Sequence, residues 1–277
     1  MSIEEPPRSL AARVAAELAL VRVVRHYGGR PEFVLLGGLV PALLCSGSAV
    51  RHAGTNDVDV QVDLEISNGS VHAARLEKAL IKAEFRPDDQ YIWRWKSAVG
   101  RQTAAVKFEL LADLDTQPSG ATIRFSGCRD LGAANLRGTG FAAQDCDVRT
   151  ISTTENGVRH SAAINVSGLA GFLLAKTAAA YSRRKPKDWY DLAFVLLNNN
   201  QGDALAAAKR VRQLFGASIP AVAGQLTDLR ANFASADAQG TRAYVEQVTL
   251  DHPDVDPATA AADCRLAIEA FCGALLS

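Results

Sequence analysis

The stretch DVDVQVDL, residues 57–64, decides the fold of this chain. Apolar and polar side chains alternate through it, which predicts a β-strand with one face in a core and the other lined by carboxylates. Asp57 and Asp59 are two positions apart, so they project the same way with a separation of roughly 7 Å. The strand therefore presents two negative charges on one face.

Paired carboxylates on one strand face are typical of a site for a hard divalent cation. The charges of Asp57 and Asp59 repel each other, and a cation that takes oxygen ligands from both relieves the repulsion. Mg²⁺ retains several waters and commonly completes its shell with substrate phosphates. The pair thus indicates one or two Mg²⁺ ions with a nucleoside triphosphate (NTP) as substrate. An ordinary solvent-exposed strand face is the alternative for this pattern taken alone.

A glycine pair upstream predicts a phosphate-binding turn. Phe33–Leu36 is a short apolar strand, Gly37 and Gly38 end it, and Leu39–Leu44 begins a helix. Unpaired backbone N–H groups at the start of a helix attract anions. Gly37 and Gly38 are therefore expected to hold phosphates beside the strand that carries Asp57. A plain tight turn uses the same residues and stays open as the alternative.

Glu109 lies on the polar face of a later predicted strand, Thr103–Leu111. A third acid beside the aspartate pair would complete the metal ligands or accept the proton of an attacking hydroxyl. A surface ion pair with Lys107 or with a residue of a neighbouring strand is the alternative. Asp113 takes the place of Glu109 if the strand ends elsewhere.

The remainder of the first 166 residues predicts helices and antiparallel strand pairs. Amphipathic helices are expected over residues 9–27 and 71–85. The strand pairs are expected at 91–97 with 103–111, and at 147–152 with 158–166, the latter joined by an Asn-Gly turn. Residues 113–146 show little periodicity and predict loops with one short helix.

The chain becomes helical from Ser167 onward. Ser167 is placed to cap a helix that runs to Arg183, and Pro186 is placed to open the next helix. Further helices are expected at 203–215, 219–235, 239–249 and 257–275. The sequence therefore predicts an α+β chain. Its α/β catalytic domain, residues 1–166, contains a mixed, partly antiparallel sheet, and its helical domain spans residues 167–277.

Composition excludes several classes of protein. Hydrophobic residues make up 48% of the 277, which is enough for a packed core and excludes a disordered chain. Lysine plus arginine and aspartate plus glutamate each number 30, so the net charge is zero. A chain-wide basic field is absent, and RNA binding would need a local patch such as the basic run 183–187. That run equally suits a solvated helix end.

Cysteine usage and hydropathy predict a soluble, cytoplasmic protein without a membrane partner. The five cysteines form no C-x-x-C pair, so they indicate reduced thiols and neither a zinc site nor a disulfide framework. No apolar run reaches the ~18 residues that span a bilayer, and residues 1–8 lack the apolar core of a secretion signal.

Two tryptophans alternate with basic residues in the predicted strand 91–97. Trp93 and Trp95 are two positions apart, with Arg94 between them and Lys96 after them. A position in the core is the favoured interpretation for the indoles, and stacking on nucleobases is the alternative.

The motifs around the aspartate pair resemble those of a known superfamily. The glycine pair, followed by Thr55-x-Asp57-x-Asp59, is similar to the Gly-(Gly/Ser)…Asp-x-Asp signature of the nucleotidyltransferase superfamily. The resemblance implies a nucleotidyltransferase fold in which the three acids are metal ligands and Thr55 lies beside the nucleotide. The superfamily more often has Asp where this chain has Glu109, so the third acid departs from the pattern.

A second motif in the helical half indicates a narrower family. Lys176 is predicted on a helix, Arg183 follows on the same helix face, and Lys187-Asp188-Trp-Tyr-Asp191-Leu comes next. This order is similar to the AbiEii/MenT-type toxin nucleotidyltransferases of type IV toxin–antitoxin systems. The resemblance assigns an active-site role to Asp188, whereas Asp191 is expected to be structural.

The basic residues of the second motif suit a triphosphate. Lys176 would neutralise it as a point charge, Arg183 would bind phosphate oxygens bidentately, and Lys187 would add a further contact. The helical domain is therefore expected to supply the lysine and aspartate side of an active-site cleft.

The resemblance also implies a reaction and partners. It implies transfer of a nucleoside monophosphate from an NTP to a hydroxyl group, with the 3′ end of tRNA as acceptor and a cognate antitoxin protein. Two alternatives stay open: a small molecule or protein as acceptor, and a protein that binds nucleotide without catalysis.

Overall fold

The alternating DVDVQ segment forms a strand in the middle of a mixed sheet. The computed structural model describes residues 8–67, 69–97 and 105–277. The strands within these ranges are β1 (Val34–Leu36), β2 (Asp57–Gln61), β3 (Arg86–Pro87), β4 (Arg94–Ser97), β5 (Val106–Ala112), β6 (Thr122–Arg124), β7 (Gly132–Asn135), β8 (Cys146–Glu155) and β9 (Val158–Ser167). Their order is β3-β4-β5-β2-β1-β9-β8, and β7 pairs with β5 and β6.

The central strand β2 has neighbours of both directions. It is antiparallel to β1 and parallel to β5, and β1 is in turn parallel to β9. The predicted mixed, partly antiparallel sheet is thereby confirmed. The register sets Asp59 opposite Leu36 of β1 and opposite Glu109 of β5. Residues in register share one face of a sheet, so Asp59 and Glu109 project to the same side.

The other face of β2 belongs to the core, where Val58 and Val60 are fully buried. The strand ends earlier than the alternation predicts, because Asp63 begins a short helix. The Asp63 carboxylate suits the first turn of a helix, and its Oδ1 accepts a hydrogen bond from the backbone N–H of Asp113 at 3.0 Å. Leu64 is consequently exposed and not part of the core.

The helices of the described chain are α1 (Leu10–Tyr27), α2 (Val40–Leu44), α3 (Asp63–Ser67), α4 (Ser70–Lys82), α5 (Gly140–Gln144), α6 (Leu169–Arg183), α7 (Pro186–Asn198), α8 (Ala204–Phe215), α9 (Ile219–Ala231), α10 (Gln239–Asp251) and α11 (Pro257–Leu276). Pro186 opens α7 as the sequence predicts. The predicted cap at Ser167 is wrong, because Ser167 still pairs in β9 and Gly168 is the N-cap. None of these helices is long and apolar enough to cross a membrane.

Residues 113–146 contain more structure than their sequence predicts. Besides the expected short helix α5, they form β6 and β7, and β7 extends the sheet beside β5. All four residues of β7, Gly132–Asn135, are buried, so the strand has no polar face and no alternation by which to recognise it. The predicted strand start at Thr103 and the segment 1–7 lie outside the described residues.

The turn between β8 and β9 is the one that the sequence predicts. Asn156 and Gly157 both have positive φ, 50° and 78°, as a two-residue hairpin turn of this type requires. β8 is longer than expected and runs to the turn itself.

The chain forms two compact units, and one of them takes a segment from the middle of the other. The first unit consists of residues up to Val40 together with Gly54–Ser167, and the second consists of Pro41–Ala53 together with Gly168–Ser277. The sequence places residues 1–166 together, whereas the structure packs 41–53 with the C-terminal helices. The segment that links the glycine turn to β2 therefore belongs to the helical unit.

Candidate active site

The glycine pair packs directly against residues of the Asp-x-Asp motif. Gly37 has a φ of +74°, and a Cβ at this position would overlap the Asp59 carboxylate. A Cβ on Gly38 would lie 2.9 Å from Cβ of Thr55, which is also too close. Gly37 is therefore required both by its backbone conformation and by the close approach of Asp59, and Gly38 is required by the close approach of Thr55. The predicted grouping of the turn with Thr55 and Asp59 is present in the first unit.

Thr55 also orders the start of β2. Its Oγ1 accepts a hydrogen bond from the backbone N–H of Asp57 at 3.1 Å. The Asp57 side chain is buried, and its Oδ1 lies 3.5 Å from Nζ of Lys107 on β5. Lys107 therefore contacts Asp57, and Glu109 takes its ion-pair partner from the neighbouring strand β4, which is the second form of the alternative interpretation.

Glu109 is held by an arginine and surrounded by acids. Nε of Arg94 donates a hydrogen bond to Glu109 Oε1 at 2.7 Å. Burial, together with the negative charges of Asp59 and Asp57, raises the pKa of Glu109 to about 7, and Arg94 opposes this rise. The three carboxylates, called here the acidic group, thus repel one another in a site with little solvent.

Asp113, which the sequence offers as the third acid in place of Glu109, has a structural role. Its Oδ2 accepts hydrogen bonds from the backbone N–H groups of Gly138 and Gly140, at 2.8 and 3.0 Å. Asp113 therefore fixes the loop before α5 and orders the end of β5.

The acidic group fits a Mg²⁺ ion that binds together with a nucleotide. Among residues 8–67, 69–97 and 105–277, no three His, Cys, Asp or Glu side chains form a ready set of metal ligands. Mg²⁺ is commonly held through only one or two carboxylates, with water and substrate phosphates as the other ligands. Asp57 and Asp59 provide that number, and a cation there would relieve the repulsion that raises the pKa of Glu109.

A second group of charged residues lies in the helical unit and centres on Asp188. Nζ of Lys176 is 3.0 Å from Asp188 Oδ1, and Arg183 donates from Nε to Oδ2 at 2.7 Å and from a terminal nitrogen to Oδ1 at 2.8 Å. Lys176 and Arg183 thus lie on one helix face, as their spacing predicts. Burial alone would raise the pKa of Asp188, but the positive charges of Lys176 and Arg183 lower it below its ordinary value.

The sequence does not reveal that His52 belongs to this group. Asp191 is fully buried, and its Oδ2 lies 2.8 Å from Lys176 Nζ while its Oδ1 lies 2.8 Å from His52 Nε2. Tyr190 accepts a hydrogen bond from the backbone N–H of Ala53 at 3.1 Å. A lone histidine in a segment without periodicity carries no signal of such a contact. We call these residues, His52, Lys176, Arg183, Asp188 and Asp191, the lysine group.

The basic side chains of the helical unit differ in how much of each reaches solvent. Lys176 is 6% exposed, whereas the Arg183 side chain is 39% exposed. Lys187 is half-buried in the first turn of α7. The structure therefore brings the predicted residues together in two groups, the acidic group in the first unit and the lysine group in the second.

The mixed sheet, its glycine turn against an Asp-x-Asp strand and the helices that follow define a nucleotidyltransferase-like fold. Residues 19–263 match the family described as "Nucleotidyl transferase AbiEii toxin, Type IV TA system", and the chain belongs to this family. It is thus a member of a family of nucleotidyltransferase toxins, for which a type IV system implies a cognate antitoxin. No curated protein and no solved structure matches the chain significantly.

Proposed function

We propose that the protein transfers a nucleoside monophosphate from a Mg²⁺-bound NTP to a hydroxyl at the 3′ end of an RNA, with tRNA as the first candidate. The acceptor oxygen attacks the α-phosphorus, the bond from that phosphorus to the oxygen that bridges to the β-phosphate breaks, and pyrophosphate leaves with the bond electrons. The proton of the hydroxyl passes to a base. The glycine turn packed onto Asp59 and Thr55, in a chain of this family, carries the proposal.

The acidic group would hold the metal and orient the α-phosphate. When bound, Mg²⁺ supplies Lewis-acid polarisation of phosphate oxygens and neutralises developing charge. Asp57 and Asp59 would be its ligands, and Glu109 supplies the third carboxylate, which Arg94 orients. Gly37 leaves the space that the Asp59 carboxylate occupies, and backbone N–H groups of the turn would face phosphate oxygens.

The lysine group would supply positive charge and an ordered carboxylate. Lys176 is buried between Asp188 and Asp191, so its contribution is to hold Asp188 in place and to offset negative charge. Arg183 has a partly exposed guanidinium and Lys187 lies next to Asp188, so both are proposed to contact the phosphates. Asp188 is proposed to have the active-site role that the resemblance of its motif implies.

Labelled NTP incorporation tests this function. Purified protein is incubated with Mg²⁺, each α-³²P-labelled NTP and a tRNA pool, and label in RNA is measured for the wild type, Asp57→Asn and Asp59→Asn. Asp147→Asn, at an exposed position of β8, is the control. Loss of at least about 100-fold is expected for the first two variants, since even the outer partners of a metal site contribute 10–100-fold.

Different results separate the alternatives. Equal incorporation by Asp57→Asn and the wild type would remove the metal site from the proposal. Label in small solutes or protein, with none in RNA, would replace the acceptor. Nucleotide binding without release of pyrophosphate under any condition would identify a binding protein.

A further inference from the structure

An aromatic and cationic stack stands at the start of β4. The guanidinium carbon of Arg94 lies 4.8 Å from the ring centroid of Tyr91 and 4.7 Å from that of Trp93. The two ring centroids are 4.9 Å apart, with the rings tilted by 39°. Such a set of flat groups is typical of surfaces on which nucleobases stack, since every base has a π-face.

The stack is joined to the acidic group by one side chain. The same Arg94 that packs on both rings donates its Nε hydrogen bond to Glu109, and Glu109 stands opposite Asp59 in the sheet. Arg94 is itself in register with Glu109, so its side chain projects from the sheet face that carries the acids. A nucleotide with its phosphates at the aspartates would thus have the stack within the same unit.

Trp93 differs from the other two tryptophans of the chain. Trp95 and Trp189 are buried at 0% and 3% exposure, whereas Trp93 is only partly buried. Its inner side packs against a small apolar cluster that contains Leu36 and Leu111. The cluster holds the indole in place, and the part of Trp93 that stays outside the cluster lines a cavity.

A cavity of about 480 Å³ opens at this stack. Tyr91 and Trp93 line it together with Gln90, Asp89 and Arg124. Its volume is in the range of small-molecule sites, and carboxylate, amide and guanidinium groups can pair with the polar edge of a base. The cavity therefore combines flat apolar surfaces with donors and acceptors, as recognition of a base requires.

We propose that Tyr91, Trp93 and Arg94 form the site for the nucleobase of the NTP substrate. The inference rests on the proposed function, because it places the base of the same nucleotide whose phosphates meet the acidic group. It makes Tyr91 and Trp93 determinants of nucleotide affinity with no part in phosphate binding.

Calorimetry with a base-free probe tests the site. Binding of Mg²⁺ with ATP, GTP, CTP, UTP or inorganic tripolyphosphate is measured for the wild type, Tyr91→Leu and Trp93→Leu. The control is Tyr181→Leu, an exposed tyrosine that also faces an arginine, Arg184. The first two variants should weaken the best NTP by about 5- to 150-fold and leave tripolyphosphate unchanged, because only the base stacks. The control should change neither affinity.

The possible failures have different signatures. Unchanged NTP affinity, or equal weakening of NTP and tripolyphosphate, overturns the base site while the proposed function stands. A wild-type protein that binds no Mg²⁺–NTP overturns the proposed function, and the base site with it.

Tryptophan fluorescence gives an independent readout. NTP binding should change wild-type emission through Trp93, because Trp95 and Trp189 are buried. Trp93→Phe keeps a stacking ring, so it should lose most of the emission change and keep an NTP affinity close to that of the wild type. An emission change that persists in Trp93→Phe contradicts the proposal.

Discussion

Gly37 shows how a single residue can be required for two separate reasons. Its positive φ strains any L-residue, and its missing side chain leaves room for the Asp59 carboxylate. Gly120 has a similar φ of +85°, but a Cβ there would meet nothing within 4 Å. The two glycines therefore separate the effect of backbone conformation from the effect of displacing Asp59.

Alanine at each glycine tests this difference. Gly120→Ala is expected to lower the free energy of unfolding by about 1–2 kcal/mol, the strain of a left-handed backbone, and Gly37→Ala should cost at least as much because its Cβ also overlaps Asp59. Only Gly37→Ala should also abolish NMP transfer, because it displaces Asp59. Urea unfolding and the labelled NTP assay measure the two effects. Full activity of Gly37→Ala would show that the position of Asp59 does not matter.

Asp188 is a buried carboxylate whose charge is maintained by Lys176 and Arg183, with Asp191 as the opposing negative neighbour. Because its pKa in the folded protein is lowered, it stabilises the fold fully above the ordinary aspartate pKa of about 3.9. That contribution is lost as the pH falls through the lower, folded-state pKa. The group is thus a source of acid sensitivity.

Asp188→Asn is expected to destabilise the protein at pH 7 by about 3–5 kcal/mol, because it deprives the buried Lys176 of one of its two carboxylate partners. The difference from wild type should shrink below about pH 4, where the Asp188 carboxylate begins to protonate in the unfolded chain, and vanish as the pH falls through the lowered pKa of the folded protein. The control is Asp228→Asn. Asp228 pairs with Arg184 and is more exposed than Asp188, so its loss should cost about 1 kcal/mol or less. Urea unfolding between pH 2.5 and 7 measures both. If the free energies of unfolding of Asp188→Asn and the wild type differ by the same amount across that range, Asp188 does not carry the negative charge assigned to it.

The helices and strands that have one solvent-exposed face and one buried face could be predicted from the sequence. β2 and the hairpin β8–β9 alternate clearly, and proline or glycine marks the ends of several helices. β7 could not be predicted because it is buried along its whole length. The same contrast holds for the site: Asp57, Asp59 and Lys176 belong to spaced motifs, whereas His52 and Arg94 acquire partners only through sheet register and packing.

The segment 41–53 packs against α7, far from it in the sequence, and His52 makes a buried polar contact with that helix. His52 contacts Asp191 and also packs its ring near Tyr190 and Phe194, with centroids 5.2 and 5.0 Å away. His52→Ala leaves a buried acceptor of Asp191 without this donor.

We expect His52→Ala to lower the free energy of unfolding by about 1–3 kcal/mol. His52→Gln, which retains an N–H donor of similar reach, should recover part of the loss. His26→Ala, at an exposed position of α1, should stay within about 0.5 kcal/mol of the wild type. Chemical denaturation measures all three, and a loss equal to that of His26→Ala would argue against the contact with Asp191.

For the whole molecule, membership in a toxin family predicts a phenotype that depends on the acidic group. Induced expression of the wild type in a bacterial host should slow growth, and Asp59→Asn should relieve this effect at equal protein level. Asp147→Asn should remain as toxic as the wild type. Growth curves with immunoblots provide the measurement. Equal toxicity of Asp59→Asn would separate toxicity from nucleotidyl transfer.

The division of the chain into two units, the second of which includes the segment 41–53, also affects how the chain folds during synthesis and what a truncated fragment can do. Residues 41–53 leave the ribosome early, yet His52 has its partner Asp191 139 positions later in the sequence. Domains fold largely as they emerge, so this segment must wait for most of the chain before it reaches its final contacts. A fragment that ends at residue 167 would contain every residue of the acidic group but would leave 41–53 without the helices on which it packs. Such a fragment is therefore expected to be inactive and harmless to the cell that makes it, and activity is expected to require the helices that follow residue 167.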